Sequence, residues 1–257
     1  VKTQPGYVEP DEYNSDFRTG YLKPDDYSDI GQAKMLCREY GDELRYSDAT
    51  DYLRYDGDSW IEEKQLAVGA MEEFLDLQLA DAQEYVENAK KALMAAGVQE
   101  TVINAGGKTL EKAVPQDFLK LLYVYLSAKT YLAFVMKRRD YKYVVSALNA
   151  AKPMLAVSVA DLDKDEKLLN TPYATYDLSK GIEVGERPHD PEDLITKITN
   201  VSPSDDGKEL WDQCLELFFS GDKELIDYVQ MVVGMAAVGK VYQEHLIIAY
   251  GSGANGK

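Results

Sequence analysis

Cysteine and histidine are scarce in this sequence, with two of each among 257 residues. Cys37 and Cys214 are isolated, with no Cys-x-x-Cys pair and no histidine at metal-ligand spacing nearby. This usage favours a reducing, cytoplasmic compartment. Neither His189 nor His245 has a partner at the spacing of a metal site or a catalytic triad, so we expect both to be structural. The sequence predicts no metal site.

Long apolar runs and a leader peptide are also lacking. No apolar stretch approaches the ~20 residues that a helix needs to cross a bilayer, so we predict no membrane-spanning helix and no membrane partner. The N-terminus shows no basic, apolar, small-residue signal sequence.

Positive charge is in short supply. The 28 Lys and Arg are outnumbered by 45 Asp and Glu, and the formal net charge is −17. Nucleic-acid affinity rests largely on cations that neutralise phosphates, so this balance disfavours a broad nucleic-acid-binding face. The acid is uneven, because residues 1–63 hold 16 Asp and Glu against 7 Lys and Arg. The uneven distribution therefore still allows a local basic surface elsewhere in the chain.

Apolar residues make up 45% of the chain, enough for a sizeable core. Apolar positions three and four apart predict helices near residues 29–40, 64–96, 116–137, 141–151, 205–219 and 223–238. Ser28 or Asp29 is the expected N-cap of the first helix, and Gly41 and Gly97 are the expected stops of the first two. One face of the first helix carries Ile30, Ala33 and Leu36 or Cys37. The inward face of the last helix is expected to carry Leu225, Ile226, Val229, Val232, Val233 and Ala236. The Asp56-Gly57 turn signal predicts a β-hairpin, and the Gly-rich stretch at 104–109 a loop. We predict a predominantly helical α+β fold with small hairpins. It ends in a strand at 244–250, the first strand of a truncated P-loop ATPase domain.

Composition divides the chain into four regions. Pro, Gly, Asp and Tyr dominate the beginning, which is typical of a linker. We predict a linker from an upstream region at 1–28, a hairpin with a helical domain at 29–160, short strands and turns at 161–204, and a helical lead-in with the first ATPase strand and its loop at 205–257.

One stretch combines basic and aromatic residues, "MKRRDYKY". Its cations are Lys137, Arg138, Arg139 and Lys142. Such a mixture suits single-stranded nucleic acid, through phosphate contact and base stacking. It equally suits the C-terminus of a helix, where the helix dipole favours cations.

The chain ends in a glycine-rich stretch, "GSGANGK". This stretch consists of Gly251, Ser252, Gly253, Ala254, Asn255, Gly256 and Lys257. It fits GxxxxGK, a phosphate-binding (Walker A) loop without its Ser/Thr, and the apolar run "LIIAY" precedes it as such a loop requires. A flexible Gly/Ser linker gives the same pattern.

Several segments together resemble the phage/plasmid primase-helicase family of the superfamily 3 helicases. The resemblance is to the poxvirus-type N-terminal region that precedes the ATPase. It rests on "YLRYDGDSWIEE", "LLNTPYATYDLSKG", "RPHDPEDLITKITNVSP" and, most strongly, "LWDQCLELFFSGDKELIDYVQMVVGMAAVGKVYQEHLIIAYGSGANGK". By this resemblance the last seven residues are a Walker A loop cut one residue short.

The resemblance implies a parent protein that binds ATP and Mg²⁺, self-associates into a ring of six subunits, and unwinds DNA during replication. An upstream primase region and a bacterial host cytoplasm are implied as well. Within the chain we expect no catalytic residue, no bound cofactor and no ATP hydrolysis, because the remaining ATPase motifs would follow Lys257.

Two other readings stay open from the residues alone. The first is a P-loop nucleotide-binding protein that is not a helicase. The second is an acidic helical adaptor with a flexible Gly/Ser tail, which would dock through its tyrosines and helices.

Overall fold

The computed structural model describes residues 20–240, 244, 246–248 and 250. The fold is α+β and predominantly helical, as predicted, with 58% helix and two small antiparallel sheets of three strands. The helices are α1 (Asp29–Tyr40), α2 (Lys64–Ala95), α3 (Glu100–Ala105), α4 (Gly107–Ala113), α5 (Leu119–Arg138), α6 (Tyr141–Ala151), α7 (Ile182–Gly185), α8 (Lys208–Phe218) and α9 (Lys223–Gly234). The strands are β1 (Leu44–Ser47), β2 (Asp51–Tyr55), β3 (Trp60–Glu62), β4 (Leu168–Asn170), β5 (Thr175–Asp177) and β6 (Glu186–Arg187).

The chain divides into two compact units. The first consists of Val1–Leu53 and Glu63–Ala156, and the second of Arg54–Glu62 and Val157–Lys257. The division falls inside β2, which lies between β1 and β3 in the first sheet. The region boundaries predicted from composition stay predictions.

Helix α2 organises the first unit. It is 32 residues long and packs against α1, α5 and α6. Its buried residues recur three and four apart, as an amphipathic helix requires. The helix stops where the glycine predicts, because Gly97 has φ +90° and donates its N–H to Met94 O, while Val98 N–H reaches Leu93 O. These two bonds satisfy carbonyls that the helix end would otherwise leave unpaired.

Helix α1 also begins and ends as predicted. The Ser28 hydroxyl accepts a hydrogen bond from Gly31 N–H at 3.0 Å, which caps the N-terminus, and Gly41 follows the last helical residue. On the predicted shared face, Ala33 and Leu36 are fully buried, whereas Ile30 at the first turn is 56% exposed.

The loop predicted at 104–109 is mostly helical. Helix α3 runs to Ala105 and α4 begins at Gly107, with Gly106 alone between them at φ +65°. Two glycines in a row weaken any helical pattern in a sequence. Here Gly106 and Gly107 both have positive φ, +65° and +52°, and so separate the two short helices, while Ile103 and Leu110 are both fully buried.

The second unit contains the antiparallel sheet β4–β5–β6, within the stretch predicted as short strands and turns. Asn170 pairs with Thr175 at the end of the β4–β5 hairpin, and Thr175 pairs with Arg187 on β6. This register brings the ends of three strands together around Thr175.

Helices α8 and α9 lie where the periodicity predicted them, but the predicted inward face of α9 is wrong. No residue of α9 is buried, and the side chains of Leu225 and Val233 are 41% and 52% exposed. Periodicity identifies which face of a helix is apolar, and a neighbouring element must still cover it. Ile226, Val229 and Val232 on this face are half-buried, so the described part of the chain covers the face only in part.

The strand predicted at 244–250 falls partly outside the described residues. Those described there, residues 244, 246–248 and 250, are exposed and carry no strand pairing. The strand and its P-loop domain therefore stay predictions.

Among the described residues, one helical stretch, Gln116–Arg138, is long and apolar enough to cross a membrane by length and composition alone. The apolar-run criterion missed it because Lys120 and Lys129 interrupt the run. Its Leu122 and Tyr125 belong to a buried hydrophobic cluster of the first unit. The absence of a membrane partner stays a prediction.

Candidate nucleic-acid interface

The basic stretch predicted to contact nucleic acid lies where α5 ends and α6 begins. Lys137 and Arg138 occupy the last turn of α5, and Tyr141 opens α6. Asp140 closes the short turn between them, since its carbonyl accepts the Tyr143 N–H at 2.8 Å. Cations at a helix C-terminus are favoured by the dipole, so part of this pattern is structural in origin.

Arg138 is a structural residue. Its side chain is buried, 8% exposed, and its guanidinium forms an ion pair with Asp29 at the N-terminus of α1. Arg138 Nη2 also donates to Tyr27 O at 3.0 Å. The guanidinium lies 4.7 Å from the ring centre of Phe134 and 4.8 Å from that of Tyr143. These contacts fix the end of α5 to the start of α1.

Asp29 is held in its charged form by the same cluster. The Ser146 hydroxyl donates to Asp29 Oδ2 at 2.6 Å, and Arg138 contacts the other oxygen. The hydrogen bond from Ser146, followed by the bond and charge of Arg138, lowers the pKa of Asp29 below its usual value of 3.8. A phosphate would have to displace Asp29 to reach Arg138.

Arg139 is paired at the surface. Its Nη1 lies 2.6 Å from Asp76 Oδ1 on α2, with the two side chains 38% and 69% exposed. An exposed ion pair of this kind contributes about 0–1 kcal/mol, so the guanidinium can exchange its partner at small cost.

Lys137 and Lys142 are the exposed cations of the stretch. Their ammonium groups lie 5.4 Å and 4.8 Å from the ring centre of Tyr143. Cation–π contacts at exposed sites are worth about 0.5–1 kcal/mol and orient each ammonium without neutralising it. Nucleic-acid contact by the four basic residues stays a prediction, and the geometry directs it to Lys137 and Lys142.

A polar cluster in the second unit joins two segments that carry the family resemblance. His189 Nδ1 lies 2.9 Å from Asn170 Oδ1, and the Thr175 hydroxyl donates to the same oxygen at 2.9 Å. Asn170 Nδ2 donates to Asp58 O, and His189 Nε2 lies 3.4 Å from Asp58 Oδ1. The "LLN" and "RPH" segments therefore meet at Asp58, in the turn between β2 and β3. Their separation in the sequence gives no signal for this contact.

Trp60 supports the same arrangement. Its Nε1 donates to Pro191 O at 2.8 Å, its backbone N–H donates to Ile195 O, and its ring packs beside Tyr55. The side chain is 1% exposed. Packing thus explains why Tyr55 and Trp60 stand on either side of the Asp56-Gly57 turn. The structural role predicted for His189 agrees with its contacts to Asn170 and Asp58.

The predicted Walker A residues, Gly251, Ser252, Gly253, Ala254, Asn255, Gly256 and Lys257, lie outside the described residues, as does His245. Among the described residues, no group of three or more His, Cys, Asp or Glu is placed to hold a metal ion.

The fold and the site define a class of protein: a helical α+β module whose helices α5 and α6 form a basic hairpin. A family model described as D5 N terminal like matches residues 33–220. This match covers well over half of the chain, which therefore belongs to that family, the N-terminal region of phage and plasmid primase-helicase proteins. Membership places the chain among proteins of DNA replication. No curated protein matches it.

Proposed function

We propose that this chain is the segment that leads into the ATPase domain of a superfamily 3 DNA helicase, in a replication protein of a phage or plasmid. One observation carries the proposal. The family match ends at residue 220, and a GxxxxGK sequence follows after about one helix and one apolar run, at 251–257. This is the order of elements that a P-loop ATPase requires, because the loop must leave a buried strand.

In the proposed protein, ATP with Mg²⁺ binds at the loop. Successive backbone N–H groups of residues 253–257 surround the phosphates, and the Lys257 ammonium neutralises charge on the β- and γ-phosphates. The hydroxyl that binds Mg²⁺ and the acids that act on the γ-phosphate belong to the sequence after Lys257. The 257-residue chain alone then neither binds ATP tightly nor hydrolyses it.

The helicase works as a ring, with six subunits as the family suggests, around DNA in the host cytoplasm, and an upstream primase region is part of the same proposal. The described segment serves as a collar or assembly module for that ring. Its support is the amphipathic helix α9, on which no residue is buried and Leu225 and Val233 are exposed, so that this helix can meet a following domain or a neighbouring subunit.

The test is ATP hydrolysis by a protein that contains this chain and the ATPase region proposed to follow it. Lys257→Ala should reduce phosphate release by orders of magnitude, because the lysine stabilises charge that develops during transfer. Lys208→Ala removes an equally charged side chain that is 68% exposed on α8, and it should leave the rate unchanged. Equal rates of phosphate release in wild type and Lys257→Ala would show that residues 251–257 are a Gly/Ser linker and not a phosphate-binding loop.

A further inference from the structure

Positive charge is concentrated in one part of this acidic chain. Residues 119–152 contain seven Lys and Arg and one Asp, a net charge of +6. The rest of the chain contains 21 Lys and Arg against 44 Asp and Glu, a net charge of −23. Neither α5 nor α6 contains an acidic residue. The α5–α6 hairpin is therefore the region where an anionic partner meets least repulsion.

The outer face of α5 is exposed along its length. Tyr123, Leu126, Thr130, Ala133 and Lys137 follow one another at three- and four-residue steps and so form a single stripe. Tyr123 is 67% exposed and Leu126 is 38% exposed. Beyond the end of α5, Tyr141 at the start of α6 is also exposed, at 68%. The rings of Tyr123 and Tyr141 are thus exposed to solvent within the basic region 119–152.

Lysines lie on this stripe and close to it. Lys129, next to Thr130 in the sequence, has its ammonium 5.8 Å from the ring centre of Tyr125. Lys137, the last residue of the stripe, and Lys142 lie beside Tyr143. At 1.5 Å per residue, Lys129 and Lys137 are about 12 Å apart along the helix axis. Cations at this spacing reach separate phosphates of one extended strand.

We propose that the exposed face of α5 and the start of α6 bind single-stranded DNA. Lys129, Lys137 and Lys142 contact phosphates, while unpaired bases stack on Tyr123 and Tyr141. Base–aromatic stacking combined with a basic track is how proteins hold single strands without reading their sequence. This assignment deepens the proposed function by naming the form of DNA that the segment holds, and it does not depend on the ATPase.

The order of residues on the stripe favours a single strand over other anionic partners. Thr130 and Lys137 interrupt the apolar face that a docked acidic helix would need at three- and four-residue steps. Duplex DNA buries the faces of its bases, so it would leave Tyr123 and Tyr141 without stacking partners. Only unpaired bases use both the rings and the cations.

The binding should be weak and strongly salt-dependent. A single strand held by about three phosphate contacts has a slope of log affinity against log salt near −2, which corresponds to roughly a 20-fold loss between 50 and 200 mM salt. The dissociation constant should be on the order of 10 µM in 50 mM salt, because the acidic remainder of the chain opposes binding.

The experiment measures fluorescence anisotropy of a labelled 20-residue oligothymidine with the 257-residue chain. Lys129→Gln, Lys137→Gln and Lys142→Gln together should lower affinity at least about tenfold and flatten the salt slope by about 2. Tyr123→Ala with Tyr141→Ala should weaken binding about fivefold or more at an unchanged slope, because stacking carries no charge. The control changes three exposed lysines elsewhere to Gln, Lys64, Lys108 and Lys208, and should alter affinity less than twofold.

The proposal is overturned if no binding is found at 200 µM chain in 50 mM salt. It is also overturned if the two lysine triples lose affinity equally, or if a 20-base-pair duplex binds with equal affinity. Binding of phosphatidylserine vesicles without oligothymidine would assign the stripe to a lipid surface and overturn it too. Circular dichroism confirms that each variant is folded. The outcome is independent of the Lys257→Ala test, so failure of one proposal is distinguishable from failure of the other.

Discussion

Arg138 and Arg139 are neighbours in the sequence and both belong to the basic stretch, but their environments in the structure differ. Arg138 is buried between two rings and bound to Asp29 and Tyr27, whereas Arg139 forms an exposed pair with Asp76. Replacing each arginine with lysine keeps the charge and removes the planar guanidinium. We therefore predict that Arg138→Lys is destabilising and that Arg139→Lys is close to neutral.

The expected size follows from the contacts. A lysine at 138 keeps a charge for Asp29 but loses the bond to Tyr27 O, worth about 1.5–3 kcal/mol for a charged donor. It also loses the stacking on Phe134 and Tyr143, worth about 0.5–1 kcal/mol each. Partial replacement by the ammonium leaves a net loss of about 2 kcal/mol or more, which lowers the unfolding temperature by about 4–8 °C in a protein of this size. Arg139→Lys should cost at most about 1 kcal/mol.

Thermal unfolding followed by circular dichroism measures both variants against wild type, and oligothymidine affinity is measured on the same samples. The reasoning predicts that Arg138→Lys lowers the unfolding temperature and leaves the affinity of the folded chain unchanged. If Arg138→Lys is as stable as wild type, or Arg139→Lys loses as much, the structural role assigned to Arg138 is wrong.

Three further predictions concern the first unit. Asp29→Asn should be destabilising at neutral pH, because a depressed carboxyl pKa stabilises the fold only while the group is charged. The difference from wild type should shrink as the pH falls through the lowered pKa of Asp29, which urea unfolding at pH 7 and at successively more acidic pH measures. Gly97→Ala should cost about 1–2 kcal/mol by the same assay, because alanine is strained at φ +90° although no atom obstructs its methyl group. Burial raises the pKa of the Cys37 thiol to about 11, so alkylation of Cys37 at pH 8 should be about 100-fold slower in the folded chain than in urea. Peptide mass spectrometry measures the two alkylation rates, and equal rates would contradict the burial of Cys37.

Local signals were sufficient for most helices. Ser28 and Gly41 mark the ends of α1, and the spacing of apolar residues gives α2 to within one residue. The Asp56-Gly57 turn correctly predicts the β2–β3 hairpin. These features depend on residues close together in the chain, where periodicity and capping act.

Long-range contacts explain what the sequence did not reveal. Strand β1 was missed because it is short and its Tyr46 N–H pairs with Leu155 O, more than a hundred residues away. The burial of Arg138 depends on Asp29, separated by 109 positions. The basic stretch therefore looked uniform, although only the structure separates its buried arginine from its exposed lysines.

The most direct test of the central claim is unwinding of a forked DNA duplex by a protein that continues from this chain through the proposed ATPase region. Wild type should displace the strand only with ATP and Mg²⁺, and Lys257→Ala should fail while remaining folded by circular dichroism. Hydrolysis of ATP without any strand displacement would contradict the helicase assignment and identify a P-loop protein of another kind.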